Sequence, residues 1–520
     1  MHKRIIPILL ILPLLASCSG KDVLDHVPED FTPNLPEFKN KDNGPIKEDA
    51  DYVYFDVFEV SDFHGATVYD KDEGELGLER LSTYFDAQRA NNQGGTIIIS
   101  GGDMWQGSAD SNITRGNLVT YGMRVMGFAS MTFGNHEFDW EASGTSWIRN
   151  NKARANDGGT NSFPFLGANI FKKDTTEHPD YCQASTIVTR GDYKVGIVGT
   201  IGDNIRDSIL AAAIADLTFT DEVEAAKSEA AKLRAEGCDV VVWSTHNDAE
   251  QIQTRISGIA DLGIDAVFGG HTHSNKNVTA GAGIPILETK DLGRGIAHAT
   301  IKMNKSTKAV TATGTVDASP TYKDYEPDKD ITGIYEQYSK QFIDVVKNRK
   351  LGKADADLSK EDELGNLAVE SMFNSTKKAF GDYEISAAFT NKSGGIRADI
   401  KSGKITYGDV YAAFPFDNEI VIIKTKGKNL KSYLTSSQLN AARYNVVYDK
   451  SINLDGDYYF LTSDYLATNA NFPFGEAGNE IVCYTKLNIR DSIADAIKAA
   501  KKIKAANYKT SAKKEFQRIK

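Results

Sequence analysis

Five of the nine histidines in this 520-residue chain follow short apolar runs, either directly or within a few residues. They are His64, His136, His246, His271 and His273, and the same loops also contain Asp62, Asp103 and Asn135. Imidazole nitrogens combined with carboxylate and amide oxygens, without any thiolate, favour borderline divalent ions such as zinc, manganese, cobalt or iron. The set therefore predicts metal binding.

The apolar runs before these residues predict the strands of a layered α/β domain. They cover residues 52–60, 96–100, 130–133, 195–198, 240–244 and 266–268. An alanine-rich amphipathic helix over residues 221–236, ending before Gly237, is predicted between the fourth and fifth strands. Because ligands bind at the carboxyl edge of such sheets, the loops after five of these strands should meet at one site.

The spacing within two of these loops is also informative. Asp62 and His64 are two residues apart, as are His271 and His273. Alternate residues of an extended segment share a face, so we expect each pair to point the same way.

The motifs resemble those of the calcineurin-like metallophosphoesterases, and specifically the 5'-nucleotidase family. The matching segments are DFHG at 62–65, GGD at 101–103, GNHEFD at 134–139 and GGHTH at 269–273. The resemblance implies an α/β fold of two domains, an N-terminal β-sandwich flanked by helices and a smaller C-terminal substrate-binding domain. It also implies hydrolysis of phosphate esters with two divalent cations, which lower the pKa of a bound water and neutralise phosphoryl oxygens.

The same resemblance implies a role for each residue of the site. One ion would be held by Asp62, His64, Asp103 and His273, and the other by Asp103, Asn135, His246 and His271. Asp103 would therefore bridge the two ions. His136 would contact the phosphate, as transition-state stabiliser or general acid, and Asp139 would orient it.

Residues from about 351 onward predict a second α/β domain, joined to the first by a linker helix over residues 329–350. Its segments LGNL at 364–367, GGIR at 394–397 and PFDN at 415–418 resemble substrate-binding motifs of the family. The resemblance implies that Arg397 binds a phosphate or ribose and that Phe416 stacks on a base. A core position for Phe416 is the alternative. The expected substrate-binding residues are Asn391, Gly394, Gly395, Arg397, Phe416 and Phe472.

Three departures from the family pattern affect this second domain. Lys392 stands where the family has an asparagine, and Asn391 lies one position earlier. No arginine precedes LGNL, where Lys360 is the nearest cation, and TNANFPF at 468–474 replaces a glycine-rich loop. The catalytic half is thus better matched than the part that would select a nucleotide.

The leading interpretation is an extracytoplasmic nucleotidase used in nucleotide salvage. It would act on nucleoside 5'-monophosphates and also on polyphosphates, cyclic nucleotides or UDP-sugars. A dimetal phosphoesterase for a non-nucleotide phosphate ester and a ligand-binding surface lipoprotein are the alternatives.

The N-terminus has the pattern of an exported lipoprotein. Lys3 and Arg4 precede an apolar run over residues 5–15 that is too short to span a bilayer. Leu15-Ala16-Ser17-Cys18 looks like a lipoprotein cleavage box, which predicts a signal peptide over 1–18 and a lipidated Cys18. A plain signal peptide with an incidental cysteine is the alternative.

A flexible tether is predicted next, over the proline-rich and charged residues 19–49. The catalytic domain would occupy residues 50–328, and the second domain residues 351–520. The protein is therefore expected in the cell envelope, anchored to a membrane and facing away from the cytoplasm.

The composition of the chain limits the classes of molecule that it can bind. A formal net charge of -11 argues against a nucleic-acid polymer, because binding its phosphate backbone requires a basic surface. Small phosphate esters remain possible partners through a local site. Cys182, Cys238 and Cys483 are odd in number and widely separated, so no disulfide framework is expected.

Overall fold

A computed structural model describes residues 26–141, 144–281, 283–317, 325–391, 394–435, 444–447, 452–469, 472–475 and 478–509. The predicted signal peptide, Cys18 and Lys392 lie outside the described residues.

The N-terminal domain alternates strands and helices. Its strands are β1 (Tyr52–Val60), β2 (Thr96–Ser100), β3 (Ser130–Thr132), β4 (Phe165–Leu166), β5 (Ile170–Lys172), β6 (Ser185–Arg190), β7 (Tyr193–Ile201), β8 (Leu217–Phe219), β9 (Val240–His246), β10 (Ala266–Gly269), β11 (Lys276–Thr279), β12 (Pro285–Glu288), β13 (Ile296–Asn304) and β14 (Val310–Asp317). Its helices are α1 (Gly77–Arg89), α2 (Ala109–Ile113), α3 (Asn117–Met126), α4 (Trp147–Ala155), α5 (Glu222–Ala235) and α6 (Ala249–Ile256). Every predicted strand is present, and the predicted helix is α5, whose N-terminus is capped by the side chain of Asp221.

Two mixed sheets form the centre of this domain. One has the order β14-β13-β1-β2-β3-β4 and the other the order β11-β12-β10-β9-β7-β6. Their inner faces share an apolar core that includes Phe55, Ile99, Val242 and Phe268. Helices α1, α3 and α4 contribute to the core beside the first sheet, and α5 and α6 to the core beside the second. The domain is therefore a β-sandwich flanked by helices, as the family resemblance implied.

A helical linker leads to the C-terminal domain. It consists of α7 (Lys329–Tyr338), a π-helical turn over Ser339–Ile343, and α8 (Asp344–Lys347). Ile331, Ile334 and Tyr338 are buried in the core of the N-terminal domain. The linker therefore packs as part of that domain.

The C-terminal domain is smaller and also α/β. Its strands are β15 (Lys350–Ala354), β16 (Ile385–Thr390), β17 (Gly403–Thr406), β18 (Glu419–Lys426), β19 (Tyr444–Val447), β20 (Asp457–Ser463), β21 (Asn479–Asn488) and β22 (Lys502–Ile503). Its helices are α9 (Glu363–Ala379), α10 (Tyr407–Ala413), α11 (Gly427–Thr435), α12 (Asp464–Thr468) and α13 (Ile489–Ala500). The main sheet has the order β19-β16-β20-β18-β21, and α9 and α13 contribute to the core beside it.

The prediction of a flexible tether is wrong for residues 26–49, which we call the N-terminal strap. Val27 is fully buried, and its N–H donates to a backbone carbonyl of α2 at 2.7 Å. The carboxylate of Asp42 pairs with Arg89 at 2.8 Å and with Arg190 at 2.6 Å. The strap lacks periodicity because it packs as irregular chain, held by a few apolar side chains and charge pairs.

Two further observations concern the whole described chain. Within the ranges given above, no helix is both long and apolar enough to cross a bilayer. Cys182, Cys238 and Cys483 are free thiols.

Candidate active site

The seven predicted metal ligands come together at one edge of the sandwich. One ligand atom each from Asp62, His64 and His273 lie within 4.8 Å of one another, and so do those from Asp103, His246 and His271. The remaining ligand, Asn135, places its Oδ1 at 3.1 Å from Nδ1 of His271. The first group belongs to one of the two ligand sets that the resemblance implied and the second group to the other, and a third group of ligand atoms joins His64, Asp103 and His136.

Five of these residues have a left-handed backbone, which is uncommon outside glycine. The φ angles are 53° at Asp62, 48° at His64, 53° at Asp103, 77° at His271 and 56° at His273. Each such residue costs about 1–3 kcal/mol and persists only where the surroundings fix it. The expectation of an extended backbone at the two spaced pairs is therefore wrong, because these side chains reach the site from tight turns.

The turns after β2 and β3 are packed backbone against backbone. A Cβ on Gly134 would lie 2.6 Å from the backbone nitrogen of Asp103, so only glycine fits there. The Glu137 carboxylate accepts hydrogen bonds from the N–H groups of Asp103, Met104 and Gly134, each at 2.8 Å. Glu137 belongs to the GNHEFD motif, but no pattern in the sequence indicates that its side chain joins two loops.

A second hydrogen bond orients each of three histidine rings. Nδ1 of His64 donates to the backbone carbonyl of Gln106 at 2.9 Å, and Nδ1 of His246 donates to a carbonyl of the loop after β2 at 2.7 Å. Nδ1 of His273 lies 3.2 Å from the carboxylate of Asp291. Because a carbonyl only accepts, the Nε2 atoms of His64 and His246 keep their lone pairs for a metal. Asp291 was not predicted, since it belongs to none of the motifs.

The ring nitrogens and carboxylate oxygens of the cluster lie so close together that a proton or a metal cation must stand between them. Nε2 of His64 lies 3.1 Å from Nε2 of His273. Nε2 of His246 is buried without a hydrogen bond, although Oδ2 of Asp103 is only 3.2 Å away. Burial lowers the pKa of His246, but the carboxylates of Asp103 and Asp62 outweigh burial and raise it to about 10. The donor set and its negative potential therefore fit divalent cations.

The two predicted catalytic residues lie beside this cluster. Nδ1 of His136 is 2.9 Å from Oδ2 of Asp139, and Nε2 of His136 is 4.0 Å from Oδ2 of Asp103. Burial lowers the pKa of His136, but both carboxylates oppose burial and the net shift is upward. The ring of His136 stacks on that of Phe416, with centroids 6.0 Å apart.

A cavity of about 270 Å³ joins the cluster to the C-terminal domain. Its lining includes Asn135, His136, Asp139 and His271 from one domain and Asn391, Gly394, Arg397, Phe416 and Phe472 from the other. Gly395, also predicted to bind substrate, is buried behind the lining. A side chain there would collide with that of Asn391.

Two family models match the chain in the order of its domains. The model described as calcineurin-like phosphoesterase matches residues 55–275, and the model described as 5'-nucleotidase, C-terminal domain, matches residues 344–455. The chain belongs to the 5'-nucleotidase family. The enzyme class that goes with these domains is the hydrolysis of phosphate esters.

Individual relatives of this 5'-nucleotidase family member are distant. Endonuclease YhcR of Bacillus subtilis is 26% identical over 77% of this chain and 34% of that protein. Protein UshA of Yersinia enterocolitica is 24% identical over 77% of this chain and 80% of that protein. The chain therefore spans about a third of the first relative's length. The crystal structure of a 5'-nucleotidase precursor from Thermus thermophilus has the same fold, with a TM-score of 0.70 and 20% identity over 86% of this chain and 97% of that chain.

The cavity also includes residues that were not predicted individually. They are Ser208, Leu210, Asp464 and Tyr465, together with Asp417 and Asn418 of the PFDN segment. Ser208 and Leu210 belong to a loop of the N-terminal domain without any recognisable motif. Of the two phenylalanines in the altered loop, Phe474 is buried in an aromatic cluster, 5.2 Å from Phe389 between ring centroids. Only Phe472 lines the cavity.

Proposed function

We propose that this protein hydrolyses nucleotides outside the cytoplasm, releasing phosphate with the help of two bound divalent cations. The observation that supports this function best is the cavity shared by the metal-ligand cluster and by Arg397 and Phe416. In this cavity a single small molecule can place its phosphate group at the metal-ligand cluster and a planar base against the ring of Phe416.

The described ligands would hold two ions in the arrangement that the resemblance implied. Asp62, His64, Asp103 and His273 would bind one ion, and Asp103, Asn135, His246 and His271 the other. When bound, such ions supply a nucleophilic water and neutralise the phosphoryl oxygens.

Four side chains of the protein would contact the substrate directly. His136 keeps a proton to a higher pH because of Asp139, and this favours a hydrogen bond from Nε2 to a phosphoryl or leaving-group oxygen. Arg397 would bind the phosphate or the ribose through its planar fork of donors. Phe416 and Phe472 would offer aromatic faces to the base.

The charges that line the cavity favour a substrate with a single phosphate group. Arg397 is the one cationic side chain, apart from histidines, among the described residues of the lining. Its guanidinium can bind one phosphate group, and no second lysine or arginine of the described lining faces the further phosphates of a longer chain. Monophosphates are therefore proposed as the preferred class.

A non-nucleotide phosphate ester is the second candidate. It is favoured by the replacement of the glycine-rich loop, since Tyr465 and Phe472 now line that side of the cavity. In that case the metal chemistry stays the same and the ring of Phe416 contacts another part of the ester.

Export and lipid anchoring through Cys18 are also proposed, because of the apolar run over 5–15 and the cleavage box that ends at Cys18. Incorporation of radioactive palmitate into the wild type in a bacterial host, and its loss in Cys18→Ser, would support this anchoring. Equal labelling of both proteins would contradict it.

The deciding experiment is phosphate release by the whole chain after treatment with chelator and resupply of manganese, zinc or cobalt. The substrates are AMP, UMP, ATP, a UDP-sugar, a cyclic nucleotide, p-nitrophenyl phosphate and glycerol phosphate. A single-stranded oligonucleotide is added because one relative is named an endonuclease, and its cleavage is followed on a gel, since cutting an internal phosphodiester releases no free phosphate. His136→Ala and Asp103→Asn serve as inactive variants, and Asp157→Asn, whose partner Arg124 lies away from the cavity, as the matched control.

Each outcome of that experiment has a defined meaning. Metal-dependent release that is fastest with AMP or UMP supports the proposal. Release from p-nitrophenyl phosphate or glycerol phosphate without nucleotide hydrolysis supports the second candidate. No release with any metal contradicts both.

A further inference from the structure

The segment of residues 414–417, which we call the Phe416 loop, is fixed from its own domain by one arginine. Arg490 of α13 donates from Nη1 to the carbonyls of Phe414, Pro415 and Phe416 at 3.3, 3.3 and 3.4 Å. Its Nη2 donates to Oδ1 of Asp417 at 2.5 Å. One guanidinium therefore contacts every residue of the loop.

Arg490 is itself held rigidly. Its side chain is 3% exposed, and its guanidinium carbon lies 3.8 Å from the ring centroid of Tyr411. Nε donates to the hydroxyl of Tyr407 at 3.3 Å. A buried guanidinium is costly unless its charge is compensated, and Asp417 supplies the opposite charge.

The catalytic domain contacts the same loop from the other side. Arg115 donates from Nη1 to Oδ2 of Asp417 at 2.6 Å, and Asn112 donates to the carbonyl of Pro415 at 3.0 Å. Arg115 has a left-handed backbone, with a φ of 50°, and its guanidinium lies over the ring of Trp140. The two carboxylate oxygens of Asp417 thus bind arginines from two different domains.

The ring at the centre of this loop contacts the catalytic machinery. Phe416 stacks on His136 at an interplanar angle of 29°, and Cζ of Arg397 lies 5.3 Å from its ring centroid. Any shift of the loop therefore moves the ring relative to both groups.

We propose that Arg115 and Arg490 are positioning residues that act on the substrate through Phe416, with Asp417 joining them across the domain interface. The inference rests on the proposed function in one respect, namely that the ring of Phe416 receives a base. It means that loss of either arginine weakens the binding of esters with a planar ring more than the binding of esters without one.

A double-mutant cycle tests this dependence on Phe416. In Arg115→Gln and in Phe416→Ala, KM for AMP should rise about ten-fold, the size expected for the loss of base stacking. In both variants KM for glycerol phosphate should rise by a clearly smaller factor than KM for AMP, because this ester makes no stacking contact. The double variant should bind AMP no worse than Phe416→Ala, since Arg115 then has no ring to position. Effects of Arg115→Gln that simply add to those of Phe416→Ala would overturn the proposal.

Substitution of each arginine by lysine distinguishes the role of Arg115 from that of Arg490. Arg115→Lys should restore most of the affinity for AMP, because Arg115 reaches Asp417 through a single Nη1. Arg490→Lys should not, because one ammonium cannot bind three carbonyls and a carboxylate in the same fixed geometry. Restoration by both lysines, or by neither, would contradict the proposed division of roles.

The ring signals of His136 give a second measurement that needs no substrate. In zinc-loaded protein with 13C-labelled histidine, Phe416→Ala should shift the NMR signals of the His136 ring, and Arg115→Gln should shift them in the same direction. Arg234→Gln is the matched control, because Arg234 makes a 2.6 Å pair with Asp265 away from the cavity. Unchanged His136 signals in Arg115→Gln would refute the positioning role. Shifted signals without any nucleotide hydrolysis would support the positioning role and reject the proposed substrate.

Discussion

Nε2 of His64 faces Nε2 of His273 at 3.1 Å, and Nε2 of His273 is 3.4 Å from a carboxylate oxygen of Asp62. Both rings have their other nitrogen beside an acceptor, Gln106 O for His64 and the Asp291 carboxylate for His273. Two imidazole nitrogens so close together need a proton or a metal cation between them. This contact links metal binding to the stability of the folded chain.

Removal of metal should therefore destabilise the protein. A ligand present at about 1,000 times its dissociation constant stabilises the folded state by about 4 kcal/mol, and the chelated protein should lose a stabilisation of that size. Elemental analysis should find two ions per chain in the wild type, and urea unfolding with and without chelator gives the free energy. Identical unfolding curves in the two conditions would contradict the metal assignment.

Gly134→Ala should weaken metal binding without any change to a ligand. The new Cβ would lie 2.6 Å from the backbone nitrogen of Asp103, so the turn that presents the bridging carboxylate must shift. Changes next to metal ligands typically cost about 10–100-fold in metal affinity. Titration of the apo protein with zinc measures this loss. Gly258→Ala, which places its Cβ in open space, is the control and should bind zinc as the wild type does.

The two phenylalanines of the altered loop should behave differently. Phe474 is 3% exposed within an aromatic cluster, so Phe474→Ala should lower the free energy of unfolding by about 3–5 kcal/mol. Phe472 lines the cavity, so Phe472→Ala should mainly raise KM for nucleotides, with base stacking contributing about 1–3 kcal/mol. Urea unfolding and steady-state kinetics on both variants check the two expectations. A reversed pattern would mean that Phe474 contacts the substrate.

The N-terminal strap should contribute to stability. Asp42 pairs with two largely buried arginines, so Asp42→Asn should cost about 3 kcal/mol, because Arg190 loses its carboxylate and Arg89 keeps only the one of Asp86 at 3.5 Å. Asp180→Asn removes an exposed pair with Arg149 and should change the unfolding free energy by less than about 0.5 kcal/mol. Equal stability of the two variants in urea would restore the flexible tether that the sequence suggested.

The ion pairs of Asp417 with Arg115 and Arg490 should make the stability of the protein depend on pH. Burial raises the pKa of Asp417, but Arg115 and Arg490 outweigh burial and hold it well below its usual range. A depressed pKa stabilises the folded state fully above the unfolded pKa, about 3.9, and this stabilisation falls as the pH drops below that value. The difference in unfolding free energy between wild type and Asp417→Asn should therefore be constant from about pH 8 to pH 5 and shrink below about pH 4. Chelator in every sample removes the contribution of the metals, and a difference independent of pH would contradict the ion pairs.

Much of the site could be predicted because its chemistry is local in sequence. Each of the motifs DFHG, GGD, GNHEFD and GGHTH lies at the carboxyl end of a strand that its own apolar residues predict. A parallel arrangement then brings the ends of those strands to one edge. Residue types and strand ends together predicted that the seven expected ligands and His136 meet at this edge, and the family resemblance divided them into ligands and a phosphate contact.

The left-handed turns could not be predicted in the same way. Spacing of two residues suggested extended chain at Asp62 and His64, whereas both have positive φ. The conformation is imposed by neighbours from other loops, among them Gly134 and Glu137 in the turn beside Asp103. These contacts between loops exist only in the folded structure, so the sequence does not indicate them.

The sequence by itself determined the class of metal ligand, the order of the two domains and the strands that lead to the site, because each depends on residues close together along the chain. Only the tertiary structure decided that residues 26–49 pack as a strap, that Asp291 orients His273, and that Asp417 lies between Arg115 and Arg490. Arg115 and Asp417 are 302 residues apart in sequence. Their pairing depends on the packing of one domain against the other, which leaves no local pattern in either segment.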